Sequence, residues 1–232
     1  MRLHILVEGP SEESFLNAWL PRFLPSQHSF QIVTHQGKGR LSGDLDGKPK
    51  PDQRGLLDQL PAKLRAYNKA LNPDTDCVLV LIDADDEPCH ELKKRIIKAL
   101  RHCAPGIAKA TLIRIAVEEV EAFYLGDRRA LKLAFPRTAK LQKLNAYQQD
   151  SVCGTWEQFQ DVIGATFEDK VAWGEKMGEV LDTKWPSVNE SISFRHFCAG
   201  ILWLTGEETD RSLPKPKRNR SYTVSSRRMP RK

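Results

Sequence analysis

Four short apolar runs set the strongest limit on what this chain can fold into. They are LHILV (Leu3–Val7), SFQIVT (Ser29–Thr34), CVLVLI (Cys77–Ile82) and TLIRIAV (Thr111–Val117). Each is strand-length and bounded by turn-forming or polar residues. Between them, apolar residues recur at helical spacing. Phe15, Leu16, Trp19, Leu20 and Phe23 share one face, as do Leu57, Leu60, Leu64, Tyr67 and Leu71, and then Leu92, Ile96, Ile97 and Leu100. Every connection can hold a helix, which is what parallel strands need for their crossovers. The expected fold is α/β, a four-stranded mainly parallel sheet flanked by helices. Pro21 is expected to end or bend the first helix, and Pro61 to weaken the first half of the second.

After Asp127 the strand signal fades. Residues 132–147, 156–163, 168–181 and 194–204 read as helical or loop-like, so the expected parts are an α/β region (1–127), a helical C-terminal region packed on it (128–211) and a basic tail (212–232). The tail holds eight of the 36 Lys and Arg residues and no acid, so the remaining 28 bases face 30 acids. The net charge of +6 therefore belongs to the tail. Rich in Pro, Ser and Arg, that tail cannot bury a core and is expected to be disordered. Lys215, Lys217, Arg218 and Arg220 are candidates for neutralising nucleic-acid phosphates. A merely solubilising role fits the same composition.

Five cysteines without CxxC spacing argue against a disulfide framework or a zinc ribbon. Cys89-His90 and His102-Cys103 fit half-buried thiols and helix-end histidines better than a zinc site. MRLHILVEG reaches a glutamate too soon for a secretory signal. No apolar run approaches the roughly 20 residues of a membrane span. The expected location is cytoplasmic.

Ligands of open parallel sheets bind beyond the carboxyl ends of the strands. The residues there are Glu8 with Glu12 after the first run, Gly37-Lys38-Gly39-Arg40 after the second, Asp83-Ala84-Asp85-Asp86 after the third, and Glu118, Glu119 and Glu121 after the fourth. Carboxylates converging on one edge repel unless a cation lies between them. Mg²⁺ or Mn²⁺ suits such oxygen donors, and a pair of ions suits phosphodiester displacement. Lys38 and Arg40 would offset charge on the phosphate. The loop is not a Walker A sequence. Each acidic group also has a plain reading. Glu12 and Glu13 suit a helix start, DADD suits a turn, and the three late glutamates suit another helix start. Their coincidence at one edge of three strands favours a joint site.

LVEGPSEE (Leu6–Glu13), VLIDADD (Val80–Asp86) and IAVEEVEAFYLGD (Ile115–Asp127) carry a resemblance. In order and spacing they resemble the Toprim domain, the metal-binding catalytic module of topoisomerases, primases and OLD-family (overcoming lysogenisation defect) nucleases. The last stretch, with SISFRHF (Ser191–Phe197), is similar to small stand-alone bacterial Toprim-like families of unknown function. Those are often encoded beside ABC-type ATPases in phage-defence loci. The resemblance covers residues 1–127 well and 167–204 loosely. It implies that Glu8 is a metal ligand or general base, that Glu12 is the second acid of the pair, and that Asp83 and Asp85 are metal ligands. Glu119 and Glu121 would then help hold a second ion. A late lysine near the scissile phosphate matches Lys170, with Lys176 behind it. The chain lacks an ATPase motif and a topoisomerase-type tyrosine context, which leaves hydrolysis.

The resulting expectation is a Mg²⁺- or Mn²⁺-dependent nuclease with Glu8, Asp83, Asp85 and Lys170 as catalytic residues. DNA ranks ahead of RNA as substrate. An ABC-type ATPase is the implied partner, and a homodimer stays open. The alternative is a non-catalytic protein that binds nucleic acid or the ATPase. A small-nucleotide phosphotransferase or phosphohydrolase fits less well, because Asp86-Glu87-Pro88 does not supply the loop that aspartyl-phosphate enzymes use.

Overall fold

The computed structural model describes residues 1–151, 154–166 and 169–207. Strands β1 (Arg2–Leu6), β2 (Ser29–Val33), β3 (Asp76–Asp83) and β4 (Thr111–Ala116) form one sheet in the order β2-β1-β3-β4. All three pairings are parallel, with Leu6 beside Val33 and Val80, and Asp83 beside Ala116. The chain therefore leaves every strand at the same edge. The fold is α/β, and the sheet is wholly parallel.

The two central strands are apolar because both faces are covered. Along β3, Cys77, Leu79 and Leu81 enter one core, and Val78, Val80 and Ile82 enter the other. This is the alternation that a pleated strand imposes. The second core is closed by α2 (Leu56–Ala70) and α3 (Cys89–Cys103). The first is closed by α1 (Pro10–Phe23) and by the C-terminal helices: α4 (Glu121–Leu125), α5 (Arg128–Ala134), α6 (Thr155–Ile163), α7 (Lys170–Val180) and α8 (Ile192–Thr205). Residues 132–147 divide into the end of α5 and a 3₁₀ turn, Leu141–Ala146.

Helix α1 ends at Phe23, two residues after Pro21, whereas α2 runs from Leu56 through Pro61. Burial explains the second case: Leu56, Leu57, Leu60 and Leu64 are all buried against the sheet. The amides of Leu56 and Leu57 donate to Gly37 O (2.8 Å) and Lys38 O (2.7 Å), so the first turn of α2 is held by the loop before it.

Aromatic side chains join the C-terminal helices to α1 and to one another. Phe15 meets Tyr124 at 5.3 Å between ring centroids, Trp19 meets Phe194 at 5.5 Å, and Phe123 meets Phe197 at 5.6 Å. One core thus runs continuously across residue 127. Helix α7 lies directly on α1. A Cβ on Gly174 would come within 2.6 Å of Ser11 O, and one on Gly178 within 2.5 Å of Phe15 O. Only glycine permits that approach. Arg22 donates to Gly178 O (2.7 Å) and Leu181 O (3.1 Å), tying down the far end of α7.

Among the described residues no helix is long and apolar enough to cross a membrane. The candidate residues Lys215, Lys217, Arg218 and Arg220 lie outside the described residues.

Candidate active site

The carboxyl edge gathers acids from three strand ends. Glu8 follows β1, and its Oε1 accepts from the amide of Asp83 at 2.8 Å. The end of β1 is thereby fixed to the end of β3. Gly9 caps α1 and Pro10 occupies the first helical position, where its missing N–H costs nothing. Glu12 turns back: one oxygen accepts from Gly9 N–H and the other from Ser11 Oγ, both at 2.9 Å. The helix-start role of Glu12 is therefore real. It also puts this buried carboxyl beside Asp83.

Two loops cross at the other side of the crevice. Ala84 N–H donates to Ala116 O (3.0 Å) and Asp85 N–H to Glu118 O (2.8 Å). Asp85 and Glu118 both adopt positive φ, 51° and 62°. Non-glycine residues hold that conformation at a cost, and it clusters at functional sites. It turns Glu118 away from the crevice, where its carboxylate accepts from the amide and hydroxyl of Thr155. Glu119 accepts from Trp156 N–H and from Lys170 Nζ, each at 3.1 Å. Glu121 is buried at the start of α4.

Two lysines reach in. Gly39 (φ 64°) packs so closely on Gly55 that a Cβ on Gly55 would lie 2.4 Å from Gly39 Cα. This contact, with Gly37 N–H donating to Glu8 O (2.9 Å), fixes the loop that carries Lys38. Lys38 Nζ donates to Ala84 O and Asp85 Oδ2, both at 2.9 Å. Lys170, at the start of α7, arrives because α7 lies against α1. It also stands 5.0 Å over the Trp156 ring. Lys176 instead lies over Phe135, at 5.5 Å. The Arg40 side chain lines a neighbouring cavity, while its amide bonds to Asp58.

The electrostatics are those of crowded like charges. Burial, then Glu12 and Asp85, raise Glu8 to about 7, although the Asp83 amide and Lys38 oppose the shift. Burial raises Glu121 to about 7 as well; Glu119 and Glu12 add to it and Lys170 opposes it. Asp83 is pushed well above the usual aspartate range by burial and by Glu12, Glu8, Glu121 and Glu119. Burial also raises Glu12 and Glu119. Asp83 Oδ1 is buried with no hydrogen-bond partner among the described residues. Buried polar atoms are normally paired, so this one calls for an explanation.

A hard divalent cation fits in donor chemistry: oxygen ligands only, and a buried carboxylate oxygen awaiting a partner. The acids are not already arranged around an ion. Among the described residues, no group of three or more His, Cys, Asp or Glu side chains is disposed to hold a metal. Amides, hydroxyls and the two lysines engage most of them.

The family model described as Domain of unknown function (DUF4276) matches residues 7–202. The chain belongs to the DUF4276 family. No curated protein and no solved structure matches it. The DUF4276 span begins one residue before Glu8 and ends within α8, so it takes in every acid of the crevice and both lysines.

Two members of this DUF4276 site escape a reading of strand ends. Tyr124 is fully buried, its hydroxyl has no hydrogen-bond partner among the described residues, and Glu121, Glu12 and Asp83 add to the burial that holds it protonated. Its place three residues after Glu121, on the same helical face, was the available signal. Thr155 holds Glu118 from 37 residues away and has no signal in the sequence.

Proposed function

We propose that this DUF4276 chain is a metal-dependent phosphodiesterase acting on nucleic acid, DNA ahead of RNA. The observation that carries the reading is Asp83: a buried carboxyl with an unpartnered oxygen, pressed by four other acids at the ligand-binding edge of a parallel sheet. Glu8, Asp83 and Asp85 would hold one Mg²⁺ or Mn²⁺, and Glu12 with Glu119 or Glu121 a second. Such ions supply charge neutralisation of the phosphate and an activated water.

The chain's own groups do the rest. Glu8 and Glu121, both raised to about 7 without an ion, would give up their protons to hold one, so ion binding is expected to tighten as pH rises through neutrality. Lys38 and Lys170 reach the crevice from opposite sides and would offset charge on the non-bridging oxygens. Tyr124 brings a buried hydroxyl to the acids. The resemblance to Toprim modules supports the same chemistry and adds an ABC-type ATPase as partner. The test is incubation of purified protein with supercoiled plasmid and Mg²⁺ or Mn²⁺, with and without that ATPase. Cleavage by the wild type and none by Glu8→Gln or Asp83→Asn is expected. Equal cleavage by the folded variants would end the mechanism.

A second reading, a non-catalytic protein that binds nucleic acid or the ATPase, is favoured by one observation. Lys38 and Lys170 already neutralise Asp85 and Glu119 without any ion. Such a binder would keep its affinity in EDTA and cleave nothing.

A further inference from the structure

Beside the acids, between the loop that precedes α2 and helix α3, lies a cavity of about 480 Å³ lined by Lys38, Arg40, Arg95 and Lys98 with a single acid, Glu87. Lys38 is shared, since it also holds Asp85 in the crevice at 2.9 Å. Arg95 is paired with Glu87 at 2.7 Å. Neither the Arg40 guanidinium nor the Lys98 ammonium has a side-chain partner within ion-pair distance among the described residues. The rest of the wall is Leu41 and Leu45, half-buried, over the buried Leu57 and Ala99, with Gly39, Ser42 and Gly43 at the loop.

The cavity is built, not a gap in a floppy surface. Its outer wall belongs to the long connection between β2 and α2, and loops of that length without regular structure are usually functional. Four anchors pin it. Arg40 N–H donates to Asp58 (3.0 Å), Arg65 donates to Leu45 O and to Gly47 O (2.7 Å for the latter), and His102 meets Asp46 at 2.9 Å. Leu41 and Leu45 pack onto the core beneath α2 and α3. The volume falls in the usual range for small-molecule sites. It exceeds what a lone phosphate fills.

We infer that this pocket binds a nucleoside phosphate unit, with the phosphate among the cations and the nucleoside against the half-buried Leu41 and Leu45. The assignment rests on the phosphodiesterase reading for the origin of its ligand: a nucleotide of the strand adjoining the scissile bond, or a free nucleotide. Lys38 touches both sites, so it couples them.

Calorimetric titration in EDTA tests the pocket without any metal. AMP, adenosine and inorganic phosphate are compared, along with Lys98→Glu and, as a control, Lys94→Glu on the same exposed helix face but outside the cavity. AMP is expected to bind more tightly than either half alone. Lys98→Glu is expected to weaken it by about tenfold or more, the loss of one charge-assisted contact, and Lys94→Glu to leave it near wild type. No binding of AMP, equal binding of inorganic phosphate, or a wild-type affinity in Lys98→Glu overturns the assignment. A short 5′-phosphorylated oligonucleotide separates the two sources: tighter binding than AMP points to a strand, weaker to the free nucleotide. A protein that binds AMP but never cuts DNA sinks the phosphodiesterase reading and leaves the pocket standing. One that cuts DNA and ignores AMP does the reverse.

Discussion

Strand β3 begins and ends with an aspartate, and the two ends of this one strand obey opposite rules. Asp76, at the amino edge, lies 3.0 Å from His4 Nε2 and accepts from the Thr75 hydroxyl at 3.0 Å. The His4 hydrogen bond holds it below the ordinary aspartate range. Asp83, at the carboxyl edge, is pushed well above that range by burial and by neighbouring acids. Backbone conformation and residue type are the same, so the difference lies in what surrounds each end. The amino edge uses charge to hold the fold together. The carboxyl edge keeps charge that opposes folding, which a protein retains where a ligand can use it.

The largest effect that can break this contrast is on cleavage. Asp83→Asn is expected to reduce plasmid cleavage by on the order of 10² to 10³ or more, the usual scale for losing one electrostatic contributor. Asp76→Asn, seven positions earlier on the strand, is expected to cleave like wild type. Comparable losses in both, with circular dichroism unchanged, would show that the two ends are not functionally distinct.

Next comes the pH dependence of the metal-free protein. Glu8 and Glu121 both rise from 4.5 to about 7, so the folded state binds their protons more tightly than the unfolded chain does. Stability from these groups is complete below about 4.5 and is lost as pH rises through about 7. In EDTA the melting temperature is expected to fall between those limits, by about 2–4 °C for each kcal/mol lost. Mg²⁺ or Mn²⁺ added at pH 8 is expected to restore it in the wild type and not in Asp83→Asn. A melting temperature indifferent to metal in both proteins would leave the acids without a cation to hold.

Glu121→Gln isolates one of those groups. The shift corresponds to roughly 3 kcal/mol at full value. Relaxation and water entry reduce it, so a gain of about 1–2 kcal/mol at pH 8 is expected from urea denaturation of the metal-free variant. At pH 4, where wild-type Glu121 is already protonated, no gain is expected. A variant less stable than wild type at pH 8 would mean that the Glu121 carboxylate is held by more than Lys170.

The sheet and its acidic edge were legible because both are local. A five- to eight-residue apolar run announces a buried strand, and the residue after it must stand at the edge wherever neighbouring strands are parallel. Glu8, Asp83, Asp85 and Lys38 all follow from that logic. What was not legible depends on packing between distant segments. Lys170, which only the family resemblance pointed to, reaches Glu119 because Gly174 and Gly178 let α7 touch α1, a contact that no local pattern announces. Glu118, Glu119 and Glu121 look alike in sequence. A positive φ at Glu118 sends it to Thr155, while Glu121 is buried among the acids and Glu119 meets a lysine. Pro61 misled in the other direction, since local propensity yields where a helix face is fully buried, whereas α1 does end within two residues of Pro21.

The smallest effect belongs to the amino edge and carries the opposite sign. A carboxyl whose folded pKa is depressed contributes stability above its ordinary value of 3.8 and loses it as pH falls through the folded value. Asp76→Asn is therefore expected to cost about 1 kcal/mol at pH 7, the net worth of one ordinary hydrogen bond. The cost should shrink as the wild type is titrated below the ordinary aspartate value, because the wild-type carboxyl then becomes neutral too. Urea midpoints for Asp76→Asn and Glu121→Gln at pH 8 put the two edges side by side. One variant should lie below wild type and the other above it. Shifts in the same direction would mean that strand ends in this fold differ in exposure alone, with no separate use made of the carboxyl edge.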